Sequence, residues 1–260
     1  MIHFMGYDVL EYPLLVFPLS WLTLWVTTRI GASVLRRNRK LDAAVREDLS
    51  TVLVTTLTLS GLIIGFSFSM AINRYEQRKN YEEAEANAIG TEYVRADLLQ
   101  ASDRARLRSL LSRYLDQRVA FYLAGDEHQL VEINARTAQL QSDLWATVSA
   151  AASPQPNAIV ALTVAGMNDV LNTAGYTQAA WWNRIPTGAW MLMVAIAVTS
   201  QLLIGFGAQN AKAEGILFAV LPFVVSISFM LIADIDSPRA GLIRVVPQNL
   251  TSLAESLRGH

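Results

Sequence analysis

The sequence predicts an all-α integral membrane protein, with four transmembrane helices and a helical extramembrane bundle inserted between spans two and three. Its 260 residues are 52% hydrophobic and 17% charged, whereas about a quarter of the residues of a soluble domain are charged. Apolar stretches long enough to cross a bilayer are separated by polar segments, and the longest polar segment has the i, i+3, i+4 spacing of amphipathic helices.

The composition argues against an enzyme or a metalloprotein. The chain has no cysteine, which excludes disulfides, thiolate metal sites and a cysteine nucleophile. The three histidines, His3, His128 and His260, are far apart in sequence, whereas metal ligands must cluster. The chain also has no GxSxG, P-loop or HExxH motif. We therefore expect no catalytic site, no cofactor and no bound metal.

The first span is predicted at residues 12–28, where Pro18 implies a kink unless a neighbouring helix satisfies the freed carbonyl. Asp8 and Glu11 precede it instead of basic residues, which favours a retained span over a signal peptide. A basic connector follows at 29–48. We expect it to lie against lipid headgroups rather than bind nucleic acid, because the basic run is short and adjoins a membrane span. Its cations are Arg36, Arg37, Arg39, Lys40 and Arg46.

The second span, predicted at 49–73, continues without a proline into a charged, alanine-rich segment. As one helix, residues 51–92 would extend roughly 60 Å, about twice the thickness of the hydrocarbon core of a bilayer. The spacing then predicts a helix from an N-cap at Ser102 to Gly125 and a second stripe over 130–148. A break at Pro154 and Pro156 precedes a third helix over 157–173. We expect this bundle to pack against the extended second helix.

Aromatic residues then indicate a membrane interface, where amphipathic rings are favoured; they are Trp181, Trp182 and Trp190. The third span is predicted at 187–209 and the fourth at 215–233. The resulting division is 1–73 for two spans with their connector, 74–186 for the helical domain, 187–233 for two further spans and 234–260 for a polar tail.

The second span has one face of mostly small and polar side chains at spacings of three and four, with two large apolar residues in its middle. One interpretation is close packing of helices, since Gly61 and Gly65 form a GxxxG pair. The other is a pore lining in which Leu62 and Phe66 form an apolar constriction that opens and closes by wetting. The residues of this face are Thr55, Thr58, Leu62, Phe66, Ser69 and Asn73.

Charged residues at two places also require an interpretation. The charged segment after the second span contains i, i+4 pairs typical of a solvated helix, although Arg74 and Arg78 could form rings of positive charge if these helices surround an axis. After the fourth span, a structural ion pair and turn is favoured over a calcium site, since calcium takes six or more oxygen ligands. The residues concerned there are Asp234, Asp236, Ser237 and Arg239.

The segment GFSFSMAINRYEQRKNYEEAEANA resembles the second transmembrane helix of the bestrophins, an anion-channel family with bacterial members. The order of four spans with a helical insertion also matches, and the chain is similar to bacterial membrane proteins called bestrophin-like. The residues that carry the resemblance are Gly65, Phe66, Arg74, Tyr75, Glu76, Arg78 and Lys79, and after the fourth span Asp234, Asp236, Ser237, Pro238 and Gly241.

The resemblance implies a homo-oligomeric channel, pentameric in the family, that conducts inorganic anions such as chloride through a bacterial inner membrane. Its neck positions correspond to Thr58, Leu62 and Phe66, of which Thr58 departs from the apolar pattern. The helical domain and both termini would be cytoplasmic, although the count of basic residues on the two sides is nearly even. A non-conducting membrane scaffold or sensor, whose helical domain binds a protein partner, is the alternative.

Overall fold

A computed structural model of the chain describes residues 3–4, 7–8, 12–35, 42–153, 157–208 and 217–259. Eight α-helices account for most of these described residues, which confirms the all-α fold class. Two strands of two residues each, β1 and β2, form a short antiparallel pair that the sequence did not predict. The elements are β1 His3–Phe4, β2 Tyr7–Asp8, α1 Pro13–Ile30, a π-helical segment Gly31–Leu35, α2 Ala43–Arg95, a 3-10 turn Ala96–Leu98, α3 Ala101–Leu123, α4 Glu127–Ala152, α5 Ala158–Trp182, α6 Thr187–Gly207, α7 Leu217–Asp236 and α8 Gln248–Arg258.

Within the described ranges, four helical stretches are long and apolar enough to cross a membrane: Pro13–Ser33, Ala44–Leu98, Ala158–Gly207 and Phe218–Asp236. They overlap the four predicted spans, and they support a multi-pass membrane protein. The helices α1 and α7 continue through an internal proline.

Several boundaries differ from those predicted. The helix α2 begins at Ala43 rather than at residue 49. Helix α3 begins before Ser102, and its N-cap position is Gln100, without a side-chain hydrogen bond. Helix α5 does not stop near residue 173 but continues to Trp182. The predicted break at Pro154 and Pro156 and the basic run at 36–40 lie outside the described residues.

The chain divides into two compact units. One consists of Met1–Arg74 and Arg184–Arg244, and the other of Tyr75–Asn183 and Val245–His260. The first contains α1, α6 and α7, and is called here the membrane unit. The second contains α3, α4, α5 and α8, and is called the helical unit; α2 contributes residues to both.

In the membrane unit, α1 packs against α6 and α7. The contact between α1 and α6 is close enough to bring backbone against backbone, because a Cβ added to Gly205 would overlap the carbonyl oxygen of Thr28, and one added to Gly31 would overlap that of Leu202. The hydroxyl of Thr28 also lies 2.9 Å from the side-chain oxygen of Gln201. Small residues thus permit a helix contact that also carries a polar interaction, as is common in lipid.

The helical unit has an apolar core to which α2, α3, α4, α5 and α8 all contribute. Leu107, Leu111 and Leu115 of α3 are buried in it, as their spacing predicted. Trp181 also lies in this core, with its ring 5.1 Å from that of Phe121. It is therefore a packing residue rather than the interface anchor that the sequence predicted, because α5 extends far enough to bring it among the aromatic side chains of α3.

Replacing Gly205 with alanine should destabilise the membrane unit by about 1–3 kcal/mol, since the added methyl group cannot enter without moving α6 away from α1. The measurement is the thermal unfolding midpoint of the purified protein in detergent. Gly188→Ala is the matched control, because Gly188 lies in the same helix and no atom comes within 4 Å of an added Cβ. Equal midpoints for the two variants would contradict the close contact.

Candidate functional site

The predicted pore-lining face of α2 is exposed along its whole length in the single chain. Leu62 is 51% exposed and Phe66 is 60% exposed, although both are large apolar side chains. The polar members of this face are exposed as well; they are Thr55, Thr58, Ser69 and Asn73. The chain therefore leaves all the predicted lining residues available to another partner.

The opposite face of this part of α2 is the one that the chain itself covers. Ser60, Ser67 and Ala71 are buried, and at 3.6 residues per turn they lie roughly 100–180° around the helix from Leu62 and Phe66. Small residues of α2 thus lie against the chain, and the predicted lining face is directed away from it.

Little of the apolar surface of this part of α2 is buried by the rest of the chain. Only 6% of the most apolar window of the α2 stretch is buried, compared with 50% for the α7 stretch. An added Cβ at Gly61 or Gly65 would meet no atom of the described residues within 4 Å, so these glycines do not serve close packing within the described part of the chain. An exposed apolar surface of this extent is covered by lipid or by other protein.

The threonines on this face use their hydroxyl donors within the helix. The Thr58 hydroxyl donates to the carbonyl oxygen of Val54 at 2.9 Å, and that of Thr55 donates to Thr51 at 2.8 Å. Each side chain therefore has its O–H group satisfied by the preceding turn. This lowers the polarity that Thr58 brings to the predicted neck.

The two predicted mouth residues differ from each other. Arg74 is partly buried, and its Nη1 atom is buried without a hydrogen-bond partner. Arg78 is only 1% exposed, and its Nε donates to the carbonyl oxygen of Ala180 at 3.3 Å in the helical unit. A side chain so deeply buried cannot present its charge to a water-filled mouth. The prediction for Arg78 is therefore corrected to a structural role.

The acidic residues at the end of α7 accept hydrogen bonds from the backbone. The Asp234 carboxylate accepts from the N–H groups of Leu242 at 2.6 Å and Ile243 at 2.9 Å. The Asp236 carboxylate accepts from the N–H of Ile185, at 3.0 Å for the nearer oxygen. Both side chains are buried, as is Ser237, whereas Arg239 is partly exposed. These donors offset the negative end of the helix dipole, and within the described residues no cluster of three or more His, Asp or Glu side chains could hold a metal.

Sequence reasoning missed a stripe of buried charges further along α2, which it assigned to a solvated helix face. The signal was present in the spacing, since steps of four, three, four and three residues place these side chains on one face. Residue type, however, predicts exposure for these side chains, because charged residues are rarely buried unless paired. The stripe, called here the buried charged stripe, consists of Arg78, Glu82, Glu85, Ile89 and Glu92.

Two carboxylates of the buried charged stripe have strong partners. Glu85 accepts two hydrogen bonds from the Arg118 guanidinium, at 2.8 and 2.9 Å. Burial lowers the pKa of Arg118, but the charge and hydrogen bonds of Glu85 raise it above its ordinary value. Glu82 accepts from the N–H of Leu250 at 2.9 Å and from the side chain of Asn249 at 2.6 Å.

Comparisons with known proteins agree with this architecture. The model of the bestrophin-like domain matches residues 14–250 of the chain. A mutant of a bacterial bestrophin homologue from Klebsiella pneumoniae is 11% identical, with a TM-score of 0.65, and the match covers 94% of this chain and 98% of that one. Another structure of a bestrophin homologue from Klebsiella pneumoniae is 12% identical, with a TM-score of 0.63 and coverage of 94% and 95%.

A comparison with curated proteins found no significant match. The structural likenesses, at these low identities, concern the fold: four membrane helices with a helical insertion. The family match covers residues 14–250, from α1 to the first residues of α8, including both the exposed face of α2 and the acidic residues that end α7. The chain belongs to the bestrophin-like family.

Proposed function

We propose that this protein is a subunit of a homo-oligomeric anion channel in which the α2 helices of several copies line a central pore. The observation that carries the proposal is the direction of α2: its small and polar face, with Leu62 and Phe66, is exposed and lies opposite the face that the chain buries. Membership of the bestrophin-like family supports transport rather than catalysis.

Assembly around an axis resolves an otherwise costly arrangement. A face that carries Ser69 and Asn73 is unfavourable against lipid tails, since lipid tails offer polar groups no hydrogen-bond partners. Copies of α2 around a water-filled axis would hydrate this face. Gly61 and Gly65, uncovered within the chain, would let neighbouring helices approach closely. Five copies are expected by resemblance to the bestrophins.

Leu62 and Phe66 are the proposed neck. They are four residues apart, about one helical turn, so each would form a ring in the assembled pore. Two stacked apolar rings can stop ion flow by excluding water from a narrow passage. Thr58, one turn before Leu62, would form a third and less apolar ring.

Arg74 is the proposed source of anion preference at the end of the neck. It lies two turns beyond Phe66 on α2, and one of its buried guanidinium nitrogens has no hydrogen-bond partner. A ring of such charges raises the local concentration of chloride and repels cations. Arg78 is not part of this proposal because it is buried.

The proposed location is a bacterial inner membrane, with the helical unit and both termini in the cytoplasm. This orientation follows the resemblance to the bestrophins. Lipid and further copies of the chain would be the immediate partners, and inorganic anions the transported species.

We further propose that Asp234, Asp236 and Ser237 anchor the segment after α7, with Arg239 in the same turn. Asp236 binds the backbone just before α6, at Ile185. Asp234 binds the backbone after α7, at Leu242 and Ile243. With their oxygens already accepting backbone donors, these residues serve the turn without a metal ion.

Phe66→Ala should raise the chloride current of the reconstituted protein in planar bilayers, because a smaller side chain widens the neck and admits water. Phe68→Ala is the matched control, since Phe68 is on the same helix but about 200° from Phe66. Under a chloride gradient, the reversal potential should follow chloride. Folded oligomers that stay silent in both variants would contradict the channel, and would favour a scaffold that binds a protein partner.

Asp234→Ala should lower the thermal unfolding midpoint in detergent, because it leaves two backbone N–H groups without their acceptor. Leu242 and Ile243 are exposed residues, so water can partly replace the lost acceptor, and each hydrogen bond should contribute about 1 kcal/mol. Glu255→Ala, at an exposed position of α8, serves as the control and should change little. A wild-type midpoint that rises with added calcium and loses this response in Asp234→Ala would contradict the anchoring role and indicate a metal site.

A further inference from the structure

A polar cavity of about 560 Å³ opens between α2 and α5 of the helical unit. It is separate from the exposed face of α2 proposed as a pore lining, and its interpretation does not depend on the channel. Amides and hydroxyls from both helices line it, together with one cation and one anion. The principal lining side chains are Asn87, Thr91, Arg95, Asp169, Asn172 and Tyr176.

The two charges of the cavity come from different helices and do not neutralise each other directly. Arg95 belongs to α2 and Asp169 to α5, and among the ion pairs of the described residues none joins them. Asp169 is exposed and Arg95 partly buried. A guanidinium binds a carboxylate well, and a carboxylate binds an ammonium group. Separate charges of opposite sign facing one space therefore fit a ligand that carries both.

A buried carboxylate lies behind the wall of this cavity. Glu92 is fully buried, and neither of its carboxylate oxygens has a hydrogen-bond partner. Gly166 of α5, which lines the cavity, lies directly against it: a Cβ at Gly166 would overlap both the Oε2 atom of Glu92 and the Nη1 atom of Arg95. The glycine thus allows the carboxyl group and the guanidinium to come together at the cavity wall.

The protonation state of Glu92 determines whether the Arg95 guanidinium is attracted to Glu92 or available to a ligand in the cavity. Burial raises the pKa of Glu92 from 4.5 to about 8; Arg95, on the same helix, lowers this pKa, and Asp169, from α5, raises it. At neutral pH a protonated Glu92 leaves the Arg95 charge available to the cavity. Above that pKa, an ionised Glu92 attracts Arg95 toward itself.

We propose that the cavity between α2 and α5 binds a small zwitterion of the amino-acid type, with its carboxylate on Arg95 and its ammonium group on Asp169. Asn87 and Asn172 provide further hydrogen bonds from the two helices. The exposed ring of Tyr176 borders the space for a side chain. Glu92 makes this binding dependent on protons, since its ionised form competes with the ligand for Arg95.

The test is calorimetric titration of the purified full-length protein in detergent with L-alanine, L-serine and L-phenylalanine. Acetate and ethylamine, which carry one charge each, are the comparison ligands. At least one amino acid should bind, and acetate and ethylamine should bind far more weakly. Binding of none of the three amino acids, or equal binding of a ligand with one charge, would overturn the proposal.

Arg95→Gln and Asp169→Asn should each weaken amino-acid binding roughly tenfold or more, the effect of losing one charge-assisted hydrogen bond. Asp169 is exposed, so its replacement tests the site without disturbing the core. Arg106→Gln, which removes an exposed arginine of α3 outside the cavity lining, should retain binding. Full affinity in Asp169→Asn would overturn the assignment of the ammonium group.

Glu92→Gln tests the proton dependence. The affinity of the wild type should fall as the pH rises from about 6 to about 9, through the range in which Glu92 loses its proton. The Glu92→Gln variant should lose that part of the fall, whereas titration of the ligand's own ammonium group affects both proteins equally. Identical pH profiles for the two proteins would overturn the role of Glu92.

Discussion

The buried charged stripe of α2 is the constraint on which the helical unit depends. A buried charge is stable only with a partner, and three side chains of the stripe each find one on a different helix. Arg78 binds a carbonyl oxygen of α5, Glu85 binds Arg118 of α3, and Glu82 binds the first turn of α8. Apolar packing alone would allow these helices to shift along α2, whereas the hydrogen bonds fix the position of each.

Glu82 shows how this constraint reaches the end of the chain. Helix α8 begins after Pro247, whose side chain cannot cap it, and the first N–H groups of a helix need acceptors. Glu82 supplies the missing acceptor from α2 at the N–H of Leu250, and its negative charge also suits the positive end of the α8 dipole. The segment that composition suggested was only a polar tail is therefore an integral part of the helical unit.

Much of this architecture could be predicted from periodicity, as the buried Leu107 of α3 and the four apolar stretches illustrate. The predictions failed where residue type favours exposure or a membrane interface but the position in the fold is buried. Charge favours exposure for Glu85 and Arg78, and an aromatic ring favours the membrane interface for Trp181, but each depends on a partner distant in sequence. The exposure of Leu62 and Phe66 could be expected from spacing, but what covers them lies in other molecules, which one sequence does not specify.

Thr58 differs less in polarity from the apolar residue expected at this neck position than its residue type suggests. An apolar ring repels water because it offers no hydrogen bonds, so the effect of a threonine depends on how much of its hydrogen-bonding capacity remains free. The Thr58 hydroxyl donates to Val54 of its own helix, which leaves only acceptor capacity, and its methyl group remains apolar. In the proposed pore, Thr58 would therefore favour water more than a leucine but less than Ser69 or Asn73, which places the strongest barrier at Leu62 and Phe66.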